Sequence, residues 1–180
     1  MVRNVVTQAL LALILLIIII SLNISAIVHA ESNSIGYVKY TINLGNNTKP
    51  ECIAYDPTNG YLYVTERGSN AVAVINPSTN QVIATIDVGQ PQTAILYDPS
   101  NGYLYILTTN ILVIDPRTNT VIATIPLPSG EAMAMAYDPD NGYIYVTFYG
   151  FIAVINTVTN TLTGVIQVKP SSGLDAITYD

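Results

Sequence analysis

One motif, Tyr-Asp-Pro-x-Asn-Gly-Tyr-x-Tyr, recurs at a nearly fixed period along this chain. Its aspartates are Asp56, Asp98 and Asp138, and the Tyr-Asp pair returns at Asp180, so the spacings are 42, 40 and 42 residues. A repeat of this length is typical of folds in which each unit buries its apolar surface against the next unit. The period therefore limits the fold classes open to the chain more strongly than composition does.

Each repeat divides into four short segments that are predicted to be β-strands. In the first repeat they are ECIAY, YLYVTE, AVAVIN and QVIATIDVG. Pro57 presets one dihedral angle of the turn after the first strand, and Asn59-Gly60 supplies the positive φ angles of a tight hairpin. The strands are apolar on both faces, and no segment after residue 30 has helical periodicity. These features predict an all-β chain built from four-stranded antiparallel blades, the units of a β-propeller.

The phase of the repeat predicts how many blades the chain contains. Residues 37–45, YVKYTINLG, match a fourth strand, and residues 173–180 begin a fourth blade with a first strand. Three complete blades lie between them, at about 50–90, 91–130 and 131–171. Propellers typically close with 4 to 8 blades. Residues 37–180 are therefore expected to form an incomplete or open propeller from a truncated chain; the alternative is that several chains assemble into a ring.

The stretch GYLYVTERGSNAVAVINPSTNQVIATIDVG, echoed by GYIYVTFYG in the third repeat, resembles the YVTN β-propeller repeat family. That family is common in archaeal and bacterial surface-layer and secreted proteins and is related in fold to the lactonase-type propellers. The resemblance covers residues 37–180. It implies the propeller fold and a cell-surface setting, and it implies little about chemistry because propellers host unrelated functions.

The N-terminal 30 residues have the pattern of a secretory signal peptide. Arg3 precedes an apolar run at residues 9–20, and Val28-His29-Ala30 places small residues where a signal peptidase cuts. An uncleaved anchor is the alternative, because the apolar stretch approaches the roughly 20 residues that span a bilayer. A short linker, residues 31–36, would follow. The chain is thus expected to be secreted to the cell surface, and Asn46, in the triplet Asn-Asn-Thr, is a candidate glycosylation site.

Charge and composition exclude several classes of partner and chemistry. Residues 31–180 carry 5 Lys and Arg against 12 Asp and Glu, which disfavours nucleic acid and anionic lipid. We expect membrane contact only through the N-terminal segment. Cys52 is the single cysteine, so no intramolecular disulfide can form. The single histidine, His29, lies in the signal segment, which removes histidine-based catalysis from the mature chain. No cofactor is predicted.

The loops after the second and fourth strands should share one face around the propeller channel. Glu51 and Glu131 are predicted to occupy matching positions there, as carboxylates that bind a cation or polarise a lactone; the alternative is that they are solvated loop charges. Glu66 and Arg67 are predicted to form a surface ion pair. The candidate ligand-binding residues on this face are Glu51, Glu66, Arg67, Asn70, Glu131, Tyr149 and Asp175.

The repeated aspartates are interpreted as turn residues that bond to their own backbone two residues on. No metal site is predicted, and Asp138 with Asp140 is the one turn that offers two carboxylates to calcium. The paired tyrosines of the second strands are expected to pack between blades, with hydroxyls reaching backbone or water; sugar stacking is the alternative.

These patterns favour a non-catalytic protein that binds or adheres at the cell surface or serves as an envelope scaffold. Its expected partners are envelope proteins or glycans, and open blade faces allow self-association. Two alternatives remain: a lactonase-like hydrolase that uses the channel-mouth carboxylates, and a propeller that binds a small ligand or cation. Few ionisable residues converge on the predicted channel, so the enzyme ranks below the scaffold.

Overall fold

The computed structural model of the protein describes residues 38–168 and 176–180. The predicted signal peptide (1–30), the linker (31–36) and Asp175 lie outside the described residues. The chain divides into two compact units, Met1–Lys39 and Tyr40–Asp180, and the second unit contains the repeats. None of the described residues forms a helix of the length and apolarity needed to cross a membrane.

The repeats form three four-stranded antiparallel sheets, which we number as blades in chain order. Within each sheet the strands lie side by side in the order of the sequence. The first blade contains β1 (Pro50–Asp56), β2 (Tyr61–Glu66), β3 (Ala71–Asn76) and β4 (Gln81–Asp87). The second contains β5 (Ala94–Asp98), β6 (Tyr103–Leu107), β7 (Ile111–Asp115) and β8 (Thr120–Ile125). The third contains β9 (Ala132–Asp138), β10 (Tyr143–Phe148), β11 (Phe151–Asn156) and β12 (Thr161–Gln167). This is the predicted all-β fold with three complete propeller blades.

The Asp-Pro-x-Asn-Gly motif closes the hairpin between the first two strands of every blade. In the first blade, Asp56 Oδ1 accepts from Thr58 N at 2.8 Å, and Gly60 N donates to the Asp56 carbonyl at 2.8 Å. Asn59 Oδ1 accepts from Tyr61 N at 2.8 Å. Gly60 has a φ of 76°, a left-handed conformation that favours glycine. The same bonds recur in the other two blades, so the motif aspartates have the turn role predicted for them.

Neighbouring blades pack face to face through two apolar seams. Side chains alternate along each strand, so Val72 and Val74 in β3 face the second blade while Ala73 and Ile75 face the opposite way. The first seam joins blades one and two and includes Leu104. The second seam joins blades two and three. Burial on both faces explains why the second and third strands are apolar throughout.

The segment before β1 takes the place of a preceding blade's fourth strand. Ile42 and Leu44 pack on Val64, Ala73 and Ile75 of the first blade. Gly45 N donates to Asn43 Oδ1 at 2.9 Å, as Gly89 N donates to Asp87 Oδ1 at 2.9 Å after β4. Residues 38–49 nevertheless include no assigned strand. A fourth strand bonds to the third strand of its own blade, and the described residues offer this segment no such partner.

The last residues behave in the same way at the other end. Residues 176–180 are not assigned to a strand, although their sequence matches a first strand. Tyr179 Oη donates to Asp140 Oδ2 at 2.7 Å. This bond attaches the segment to the hairpin turn of the third blade, where a following blade's first strand belongs.

Gly68 holds the segment before β1 against the β2–β3 loop. Its N–H donates to the Thr48 carbonyl at 2.8 Å, and a Cβ at this position would lie 1.9 Å from the Asn47 carbonyl oxygen. We expect Gly68→Ala to lower the free energy of unfolding by about 2 kcal/mol, because backbone must move to relieve the clash. Gly164→Ala is the matched control, since a Cβ there meets no atom within 4 Å. Equal urea midpoints for the two variants would contradict this packing.

Candidate functional site

The loops that follow second and fourth strands share one edge of the three sheets, as the antiparallel strand order requires. We call this edge the loop face. The Asp-Pro hairpin turns and the turns between third and fourth strands lie on the opposite edge. Six of the seven candidate residues are described, and all six lie on or beside the loop face.

Glu51 and Glu131 do not occupy matching blade positions, so that prediction is wrong by two residues. Pro50 pairs with Glu66, and Ala132 pairs with the equivalent residue Phe148. Superposing Pro50 on Ala132 therefore places Glu131 at the position of Lys49. Glu51 lies within β1, whereas Glu131 lies in the loop before β9.

Glu66 and Arg67 do not pair with each other, so the predicted ion pair is also wrong. Successive side chains of an extended chain point to opposite sides, which turns Glu66 inward and Arg67 outward. Glu66 is only 4% exposed and accepts from Ser69 Oγ at 2.7 Å. Arg67 Nη1 lies 3.5 Å from Glu51 Oε1 in an exposed pair, worth less than about 1 kcal/mol.

Two further candidates, Asn70 and Tyr149, shape the loop turns. Asn70 has a φ of 57°, and its carbonyl accepts from Val88 N at 3.0 Å and Gly89 N at 3.2 Å. These bonds join the β2–β3 loop to the end of β4. Tyr149 is 64% exposed and precedes Gly150 in the short turn between β10 and β11. Tyr149 is therefore available to a ligand, whereas the Asn70 backbone serves the fold.

The loop face has a small cleft beside the second and third blades. It measures about 180 Å³, and Glu131 is the only carboxylate among its lining residues, which are Pro91, Thr93, Thr108, Thr109, Gly130, Glu131 and Ala132. Thr109 Oγ1 donates to Gln90 Oε1 at 2.7 Å, and Thr108 Oγ1 donates to the Asn110 carbonyl at 2.9 Å. The cleft thus offers one exposed negative charge and hydroxyl oxygens that can still accept. It suits a small polar or cationic group.

The weakest metal candidates, Asp138 and Asp140, and the single cysteine make contacts within the fold. Asp138 accepts from Asp140 N and from Asn141 Nδ2, at 2.9 and 2.6 Å, and Asp140 accepts from Tyr179. Cys52 Sγ lies 3.4 Å from the Thr93 carbonyl, and burial raises the pKa of this thiol, which keeps it protonated and unreactive at neutral pH. Within the described ranges no three His, Cys, Asp or Glu side chains gather closely enough to hold a metal ion.

Tyrosine hydroxyls link each blade to the next, and this network was only partly predicted. Asn59 Nδ2 donates to Tyr63 Oη at 2.9 Å, and that hydroxyl lies 3.4 Å from the Pro116 carbonyl in the second blade. In the next blade, Asn101 Nδ2 donates to Tyr105 Oη at 2.9 Å. The Tyr105 hydroxyl lies 2.8 Å from Asn160 Oδ1 and 3.3 Å from the Thr157 carbonyl in the third blade. The packing of these tyrosines between blades is confirmed.

First-strand tyrosines make a second set of links that the sequence analysis missed. The buried Tyr97 hydroxyl lies beside Asp56 and Thr58 of the preceding blade, without a hydrogen bond of good geometry, and burial raises its pKa. Burial also raises the pKa of Tyr137, which lies beside the turn at Asp98. Tyr179 continues the series at the third blade. The signal was present, because the tyrosine before each motif aspartate recurs at the repeat period.

The buried tyrosines predict a loss of stability at alkaline pH. Burial raises the pKa of Tyr105 to about 12, so below pH 10 the residue is protonated in both the folded and the unfolded chain. Between pH 10 and 12 only the unfolded chain ionises, and stability falls with rising pH by about 2 kcal/mol for this residue. Urea unfolding at several pH values measures the loss. Tyr105→Phe should show a shallower decline, and an equal slope in that variant would contradict the assignment.

Comparison with known proteins shows the fold and leaves the family open. No family model matches the chain, and no curated protein matches it. Among solved structures, hydrazine synthase from Kuenenia stuttgartiensis aligns with a TM-score of 0.62 and 21% identity, covering 74% of this chain and 40% of that one. Apo AztD from Citrobacter koseri aligns with a TM-score of 0.58 and 16% identity, covering 77% and 41%.

Both solved structures are β-propeller-type proteins, so the three blades match propeller blades in shape and in arrangement. The chain spans about two fifths of the length of each. At this level of identity the likeness shows the fold alone.

Proposed function

We propose that this protein is an exported, non-catalytic propeller of the YVTN repeat type that binds a partner at the cell surface, in adhesion or as an envelope scaffold. The proposal is supported by the contacts that the acidic side chains of the loop face make. Glu66 is buried on Ser69, and Glu51 pairs with Arg67. Hydrolysis needs an acid or base that converges with other groups on one reacting atom, and Glu131 lies alone in its cleft.

The N-terminal sequence and the surface support export. Residues 1–30 have a signal-peptide pattern, and Asn46 is exposed in the turn before β1, where a glycosylation enzyme has access. An acidic surface with few charges favours neutral or basic partners over nucleic acid. Envelope proteins and glycans are such partners, and Tyr149 offers an exposed aromatic ring on the loop face.

A panel of lactones and a cell-binding assay test this proposal together. We expect the purified protein to open no lactone faster than the uncatalysed rate and to bind saturably to isolated cell envelopes of its source. Lactone opening that is lost in Glu131→Gln would overturn the scaffold role and favour the hydrolase. Absence of any saturable envelope binding would equally contradict the proposal.

Binding of a small cationic ligand is the second candidate, favoured by the cleft that Glu131 lines. Titration calorimetry with calcium and with small amines tests it. Heat that disappears in Glu131→Gln and persists in Glu51→Gln would place the ligand in this cleft. Equal heats in both variants would exclude the cleft as the site.

A further inference from the structure

The cleft on the loop face lies between the second and third blades, both of which are complete. Each of these blades, with the loop that leads into it, forms one wall: Pro91, Thr93, Thr108 and Thr109, then Gly130, Glu131 and Ala132. We call it the Glu131 cleft. Its volume of about 180 Å³ is below the roughly 300–1,000 Å³ of sites for drug-sized ligands. The cleft therefore suits a single side chain or a small head group.

The threonine hydroxyls of the Glu131 cleft donate their hydrogens within the fold. Thr109 Oγ1 donates to Gln90 Oε1 at 2.7 Å, and Thr108 Oγ1 donates to the Asn110 carbonyl at 2.9 Å. Thr93 Oγ1 donates to the carbonyl of the last β6 residue at 3.4 Å. A hydroxyl has one hydrogen and two lone pairs. The three oxygens are therefore left to a ligand as acceptors only.

Glu131 supplies the charge of the cleft. Its side chain is exposed and makes no hydrogen bond or ion pair with the part of the chain that the structure describes. An ionised carboxylate accepts hydrogen bonds and donates none. All four polar side chains that line the cleft are therefore acceptors. Such a cleft selects a ligand head that donates hydrogen bonds and carries a positive charge.

An ammonium fits these acceptors better than a metal ion or a guanidinium does. Calcium takes about 6 to 8 oxygen ligands, several of them from carboxylates, whereas the cleft has one carboxylate. A guanidinium directs its donors within one plane, whereas the acceptors stand on three separate loops, β4–β5, β6–β7 and β8–β9. An ammonium has three donors and no acceptor, and it rotates freely to reach acceptors on different loops.

The walls of the cleft and the charge of the protein favour lysine as the residue that carries this ammonium. Pro91 and Ala132 offer apolar surface to an aliphatic stem, and lysine buries its stem while its head remains with polar groups. Residues 31–180 carry 5 Lys and Arg against 12 Asp and Glu. This acidic balance attracts a partner surface that bears lysines.

We propose that the Glu131 cleft binds a lysine side chain of a partner protein at the cell surface. The ammonium pairs with the Glu131 carboxylate and donates to the Thr93 and Thr109 hydroxyls, and the stem lies along Pro91 and Ala132. This inference rests on the proposed binding role and names the group by which the partner is held.

Two short peptides test the cleft: acetyl-Gly-Lys-Gly-amide, and the same peptide with norleucine, which keeps the stem and lacks the ammonium. Amide chemical shifts of the purified protein follow their binding. We expect the lysine peptide to bind saturably, with a Kd of about 1 mM, and the norleucine peptide not to bind. Glu131→Gln should weaken lysine binding about tenfold, the effect of one hydrogen bond to a charged group. Thr109→Val should weaken it about threefold.

Asp87→Asn is the matched control. It removes one exposed acid from the end of a fourth strand on the same face, and asparagine can still accept from Gly89 N. This variant should bind the lysine peptide as the wild type does. Equal affinities of the wild type and Glu131→Gln would overturn the proposal, and so would equal binding of the two peptides. Calcium binding that Glu131→Gln abolishes would overturn the choice of an ammonium.

Two further measurements separate the sources of the ammonium. Binding of n-butylamine without binding of the lysine peptide would overturn a protein partner and identify a free amine as the ligand. Acetylation of the lysines on isolated envelopes should abolish the envelope binding expected above. Envelope binding that survives acetylation would overturn the lysine proposal and leave the scaffold role standing. Lysine-peptide binding without any envelope binding would support the cleft chemistry and contradict the scaffold role.

Discussion

Replacing Phe148 with alanine is expected to lower the free energy of unfolding by about 4 kcal/mol. Phe148 ends β10 and is 1% exposed in the second seam. Its ring stacks on Phe151 with centroids 4.5 Å apart. The substitution removes a large buried aromatic and leaves a cavity that the two sheets, fixed by their hydrogen bonds, can fill only in part.

Urea unfolding followed by tyrosine fluorescence measures this loss. Tyr149→Ala is the control, because the neighbouring ring is 64% exposed and its removal should cost less than about 0.5 kcal/mol. If the two variants unfolded at the same urea concentration, Phe148 would not lie between packed blades, and the second seam would be wrong.

Ile125→Ala is expected to destabilise the protein by about 3 kcal/mol, and Ile166→Ala by less than about 1 kcal/mol. The two isoleucines occupy the same position in consecutive blades, near the end of the fourth strand. Ile125 is covered by the third blade, whereas Ile166 is 48% exposed. Both substitutions remove the same side-chain atoms. The difference between the two losses in free energy of unfolding therefore reports whether a neighbouring blade covers the side chain.

Chemical denaturation of both variants in one buffer gives the comparison. Equal losses of about 3 kcal/mol would mean that Ile166 is covered in solution, which would contradict its 48% exposure. Equal losses below 1 kcal/mol would instead argue that the blades do not pack as described.

Most of the fold could be predicted from the sequence, because it depends on short-range turn and strand preferences that recur in every repeat. The turn after each first strand needs an aspartate acceptor, a proline and an Asn-Gly pair within five residues, and all of these are visible in the chain. The two-sided apolarity of β2 and β3 is equally visible. A sequence with such a period therefore predicts sheet order and strand phase without reference to distant contacts.

The candidate site was predicted less well, because it depends on which side a strand residue faces and where each strand begins. Glu66 and Arg67 are adjacent in sequence yet point to opposite sides at the end of β2. Glu51 lies inside β1, five residues before Asp56, whereas Glu131 lies in a loop, seven residues before Asp138. Counting back from the motif aspartates would have shown this offset. The links made by Tyr97 and Tyr137 join residues about 40 positions apart, and only the stacking of blades brings those partners together.

Chemical modification of the tyrosines tests the central claim, that equivalent blades cover one another in chain order, so that Tyr63 and Tyr105 are buried by the next blade while Tyr145 is only partly covered by the described residues. The purified folded protein is treated briefly with tetranitromethane and digested, and nitration at each tyrosine is measured by mass spectrometry. We predict protection of Tyr63 and Tyr105, fast modification of Tyr149 and intermediate modification of Tyr145. Nitration of Tyr105 as fast as Tyr149, or protection of Tyr145 as complete as that of Tyr105, would contradict the account.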